Sequence, residues 1–177
     1  GDSCILSTLY ENENHSFEVI DFMPRFQTEN GQYYAPPELV RLIKPIKGSP
    51  KIQLQYDPRL EYAQGVTSHE AKNNSIVSEV NEPTHDSLFL YTNADKHAIL
   101  NKTYISIDEI LFFTISYNEK LKIPRLSSCL LDFERTKVYW LNWCSKTPAF
   151  EHYNDLIQRS AMTLKLMSYD KTGAVLA

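Results

Sequence analysis

The sequence predicts a mainly β protein, an antiparallel β-sandwich followed by two C-terminal α-helices. Three observations lead there. Apolar runs of about five to eight residues recur between polar turns over the first two thirds of the chain, which is sandwich patterning. Around Pro124 the pattern changes to apolar residues at helical spacing. With 42% hydrophobic and 23% charged residues, a chain of 177 has the composition of a globular protein and the length for one sizeable core.

The elements follow in order. Cys4 to Tyr10 and Phe17 to Met23 flank Glu11-Asn12-Glu13-Asn14, turn chemistry that makes the two runs an antiparallel pair. In the second run Phe17, Val19, Asp21 and Met23 share one face and Glu18, Ile20 and Phe22 the other, so both faces are largely apolar and the strand belongs inside the sandwich. Pro24 to Pro37 reads as a long connection containing Gly31 and Pro36-Pro37. Leu39 to Ile46 is the next strand, followed by a Lys47-Gly48-Ser49-Pro50 turn. Ile52, Leu54 and Tyr56 then alternate with Lys51, Gln53 and Gln55, which leaves one face solvated. Ile76 to Val80, Ser87 to Tyr91, Thr103 to Ile107 and Ile110 to Tyr117 continue the strands.

In the helical third, Phe133, Thr136, Trp140 and Trp143 recur at helical spacing, with Glu134, Arg135 and Lys137 on the other face. Indole faces stack on sugars, but aromatics at this spacing are better explained as core, because they bury so much area. For the last helix, Thr147 is the expected N-cap, Pro148 the first helical residue and Gly173 a left-handed cap. Tyr153, Leu156, Ile157, Ser160, Ala161, Leu164 and Met167 form its apolar stripe, with Met162 and Leu166 apolar but off it. Such a helix needs cover on more than one side, from the preceding domain or from a larger body that is absent. The division expected is residues 1–125 as a sandwich domain missing its first strands, 126–147 as a linker helix and 148–177 as a further helix.

A net charge of -4 offers no basic footprint, which argues against nucleic acid and anionic membrane surfaces as partners. No apolar run reaches the roughly 20 residues of a bilayer span, and Gly1-Asp2-Ser3-Cys4 carries no signal-peptide features, so a cytoplasmic location is expected. The chain does not start with Met, and residues upstream are expected to have been removed. Cys4, Cys129 and Cys144 have no metal spacing; one disulfide is allowed in principle, but idle thiols in a reducing compartment are the simpler reading. His15, His69, His85, His97 and His152 are scattered, and neither a nucleophile elbow nor a phosphate-cradling loop is present. No metal or cofactor is expected.

Acid/base hydrolysis needs two carboxyls whose environments push their pKa values apart. Asp57 with Glu61 and Asp108 with Glu109 are more simply turn and strand-end residues, Arg59 standing ready as an ion-pair partner. Asp21, on an apolar strand face, has to tie down a loop or an Arg. No catalytic, cofactor-binding or metal-binding residue is assigned.

Four segments, in order, carry a resemblance. Arg159 to Tyr169 and on to Val175 resembles the start of the catalytic barrel in the glucoamylase and trehalase-like enzymes of glycoside hydrolase family fifteen. Ser16 to Pro24 resembles a strand signature of that family's N-terminal sandwich, Leu39 to Gly48 with Tyr56 to Tyr62 its next hairpin, and Thr136, Tyr139, Trp140 and Trp143 its linker helix. The resemblance implies a supersandwich-like N-terminal domain, a helical linker and an (α/α) six-fold barrel of which residues 148–177 hold the first helix. It also implies inverting hydrolysis of an α-glucosidic bond by two barrel glutamates that lie outside this chain. On that reading the chain is the non-catalytic portion of the enzyme, inactive alone, its partner the missing barrel and the parent's substrate an α-glucan or trehalose. The alternative is a carbohydrate-binding or oligomerisation sandwich module, a homo-oligomer through its open edges.

Overall fold

A computed structural model describes residues 2–80, 86–169 and 172–175. Among these residues the elements are β1 (Leu6–Glu11), β2 (Ser16–Phe22), β3 (Phe26–Gln27), β4 (Tyr33–Tyr34), β5 (Glu38–Lys47), β6 (Lys51–Gln53), β7 (Ser68–Ala71), β8 (Ile76–Glu79), β9 (Ser87–Thr92), α1 (Lys96–Leu100), β10 (Tyr104–Ser106), β11 (Leu111–Tyr117), α2 (Leu126–Ser145) and α3 (Asn154–Met167). The fold is mainly β, with its two long helices at the C-terminal end. Seven strands form one antiparallel sheet in the order β1-β2-β5-β11-β9-β8-β7.

The β1–β2 hairpin turns on Asn12, whose Oδ1 accepts from the Asn14 N–H at 3.0 Å and the His15 N–H at 2.8 Å, the side-chain turn that Asn favours. At its far end β5 runs into Gly48, which has φ +66 and where a Cβ would sit 2.8 Å from the Asn14 carbonyl oxygen. Only glycine fits there. Pro45, lying past the end of the β11 ladder at Ile43, pairs with Phe17 where the β2–β5 register shifts, a position a strand proline can occupy.

Both faces of the sheet are covered, as alternation in β2 predicts. Ile20, Phe22, Val40, Leu42, Phe89 and Phe112 meet Cys129, Leu126, Leu130 and Phe133 of α2 on one face. On the other, Val19, Ile43, Ile76, Leu90 and Phe113 meet Ile52 of β6, Ile105 of β10, Ile107 and Ile99 of α1. The second β layer is therefore the small β6–β10 pair, completed by a one-turn helix. That helix has no expectation behind it, because five residues are too few to show a period; its one signal is Asp95, whose side chain caps the His97 N–H.

In the helices, Thr136 and Trp140 are core residues as expected, Trp140 being 1% exposed. The expected ends of the last helix do not hold. Thr147 does not cap α3: its hydroxyl donates to the Trp143 carbonyl at 3.3 Å and so finishes α2, while α3 starts at Asn154 after a left-handed Tyr153. Pro148 is accordingly outside the helix. Gly173 keeps its left-handed φ of +72, but serves a turn in which its N–H reaches the Tyr169 carbonyl, five residues beyond Ser168, the residue that caps α3.

The buried face of α3 also differs from the expected stripe. Met162, off that stripe, is 1% exposed and packs with Trp140 and Cys144, whereas Leu156 on it is 66% exposed. The helix meets α2 and the N-terminal segment, with the Arg159 guanidinium donating to the Ser3 carbonyl at 3.2 Å, and its Lys165 ammonium lies over the Tyr33 ring at 5.8 Å.

Candidate functional site

Two concave features flank α2. The first, a cleft of about 870 Å³, opens between the start of β5, β11 and the first turns of α2. Arg125, Ser128, Cys129 and Asp132 line it from the helix at the i, i+3, i+4, i+7 spacing that puts them on one face. Opposite stand Glu38, the first residue of β5, Tyr34 of β4 and Thr114 of β11, whose hydroxyl lies 3.5 Å from the Cys129 thiol.

Glu38 is only 6% exposed, and the hydrogen bond its carboxyl accepts from the Tyr34 hydroxyl is long at 3.4 Å. Burial pushes its carboxyl up to about 7, the neighbouring Asp132 and Glu119 adding to the rise and the Tyr34 hydrogen bond opposing it. The same burial raises Asp132, against the pull of Arg135, and takes the Tyr34 hydroxyl to about 12. Glu38 thus has the proton affinity of a general acid. A glycosidase needs a second carboxyl that stays ionised, and here both are pushed the same way. The cleft does not hold an acid and a base with opposed tuning.

The second feature is a groove of about 470 Å³ between the β3–β4 hairpin and the outer flank of α2. Tyr33 from the hairpin and Tyr139 and Trp143 from the helix form its aromatic walls, the Tyr33 and Tyr139 rings meeting edge to face with centroids 6.4 Å apart. The two tryptophans of the predicted stripe therefore part company. Trp140 fills the core and Trp143 lines a groove, the two rings perpendicular at 5.9 Å.

The acids weighed from sequence go elsewhere. Asp21 takes a bidentate pair with Arg41 at 2.6 and 2.8 Å, the tie expected of it. Asp57 accepts from Arg59 at 3.2 Å in an exposed turn, and Asp108 and Glu109 sit exposed ahead of β11. His69 binds the Ser78 hydroxyl at 2.9 Å, while His85 lies outside the described residues. No three His, Cys, Asp or Glu side chains gather as metal ligands among the described residues, and the three cysteines are free thiols. Sequence reasoning passed over Glu38 and Asp132; the usable signals were a Glu directly after Pro36-Pro37 and an Asp inside the apolar run Leu130 to Phe133.

Fold and site together define a mainly β chain, an antiparallel seven-stranded sheet followed by two helices, with a carboxyl-lined cleft and an aromatic groove beside α2. Comparison with known proteins points to a distant relationship with one class. The chain is 21% identical over 185 aligned positions to a trehalase of Thermoplasma acidophilum and, again at 21% over 185 positions, to a trehalase of Thermoplasma volcanium. The alignments take in 98% of this chain but 30% and 28% of those proteins, so the chain spans less than a third of their length. No protein-family profile matches, and no solved structure matches. No helix among the described residues is long and apolar enough to cross a membrane.

Proposed function

We propose that this chain is the non-catalytic sandwich-and-linker portion of a trehalase- or glucoamylase-like α-glucoside hydrolase. The observation that carries the reading is the alignment itself, nearly the whole chain on under a third of two trehalases. The Glu38–Asp132 cleft is consistent with it, since both of its carboxyls are raised by burial and are not tuned apart as an acid and a base. In the parent, one barrel glutamate protonates the leaving oxygen while another activates water, the two carboxyls standing roughly 6.5 to 9.5 Å apart to admit it. α3 is the first helix of that barrel, and its exposed Leu156 and Leu164 are the face on which the next barrel helices pack. Three free thiols suit a reducing compartment such as the cytoplasm.

Reading the coding sequence past Ala177 tests this directly. Several hundred further residues of paired helices containing two candidate glutamates support it, and a stop codon there sinks it. A carbohydrate-binding reading has an observation of its own in the groove beside Trp143.

A further inference from the structure

We infer that the groove between the β3–β4 hairpin and α2 is a binding site for a short neutral oligosaccharide. It does not require that the parent hydrolyse anything.

The placement comes first. Arg135, Val138, Tyr139, Asn142, Trp143 and Lys146 repeat every three or four residues along one flank of α2, a line about 16 Å long at the helical rise. Tyr33, 53% exposed, stands across from them on the hairpin. At about 470 Å³ the groove falls within the size range of small-ligand sites.

The chemistry of the walls then selects the occupant. Half-buried aromatic rings offer flat apolar surface, which the C–H faces of a pyranose match. Beside the rings stand Glu134, an acceptor, Arg135 and Lys146, donors, and Asn142 and Gln27, which are both. A sugar hydroxyl donates and accepts at once, so a ring bearing several of them can answer every one of these groups while its apolar face lies on the aromatics. A proline-rich peptide, the other ligand that aromatic grooves take, presents carbonyl acceptors and apolar rings, which leaves the Glu134 carboxylate unmatched. The rim sets one carboxylate, Glu134, among two cations, Arg135 and Lys146, with the Arg135 guanidinium over the Phe26 ring at 5.2 Å, a mixed-sign rim that suits a ligand without net charge.

The test is titration calorimetry of the 177-residue chain with maltotriose, with trehalose and an all-proline decapeptide as separate arms. Saturable sugar binding is expected, and Tyr33→Ala and Asn142→Ala, both at exposed positions, should each weaken it about tenfold or more with unchanged circular dichroism and Tm. Intrinsic fluorescence gives a second readout. The sugar-induced change should vanish in Trp143→Phe, because the remaining Trp140 is buried. No saturable binding of either sugar, binding unaltered by both alanine variants, or binding of the peptide in place of the sugar would overturn the inference. Since binding is read without hydrolysis, its failure leaves the hydrolase reading standing, and a stop codon after Ala177 leaves the groove standing.

Discussion

Glu38→Gln isolates the strongest electrostatic statement the structure makes. The folded carboxyl titrates near about 7 against an ordinary value of 4.5, so the folded state holds a proton that the unfolded chain releases. Stability from this group is fully present below about pH 4.5 and is lost as pH rises through 7. That difference corresponds to about 3 kcal/mol, and water in the open cleft screens it to about 2 kcal/mol. Gln cannot ionise, fills the same space and still offers an oxygen to the Tyr34 hydroxyl. The variant and the parent should therefore differ least in acid, the variant gaining about 2 kcal/mol by pH 8, or about 4 to 8 °C in Tm for a chain of this size. Thermal unfolding of both proteins in parallel buffers across that range measures it. Every other carboxyl is common to the two, so the difference curve reports Glu38 together with its coupling to Asp132 and Glu119. Parallel pH profiles, with a constant offset, would refute the reasoning.

Trp140→Ala should cost about 3 to 5 kcal/mol and Met162→Ala about 2 to 5 kcal/mol, because both fill the same fully buried contact between α2 and α3; a loss under 1 kcal/mol by urea unfolding would mean that the contact does not form. Burial pushes the Cys4 thiol up to about 11 and raises Cys129, and Cys144 is buried. A thiol reagent at pH 8 should thus label the native chain far more slowly than a free cysteine and reach all three thiols in denaturant, whereas one thiol reacting at the free-cysteine rate would contradict the placement.

What the sequence made legible is what period and turn chemistry encode. Alternation in Phe17 to Met23 correctly put apolar groups on both faces of β2, and Asp21 on such a face correctly demanded a partner, Arg41. Spacing in α2 correctly buried Thr136 and Trp140. The errors lie where one residue type serves two roles. A threonine hydroxyl can accept at a helix start or donate at a helix end, and Thr147 does the latter. The α3 stripe was read from hydrophobicity alone, but which face is buried depends on the neighbour, and α2 stands on the Met162 side. The Glu38 cleft was invisible because it joins a hairpin, two strands and a helix separated along the chain, and burial of a carboxyl is a tertiary fact.

On the proposed function, this chain supports a glycosidase whose chemistry lies outside it. Following glucose release from trehalose, maltose and isomaltose by NMR, with the anomeric configuration read in the first minutes, tests it on the intact parent and on the 177-residue chain side by side. Release with inversion by the parent and none by the chain is expected. Retention at the anomeric carbon, or reproducible turnover by the chain alone, would contradict it.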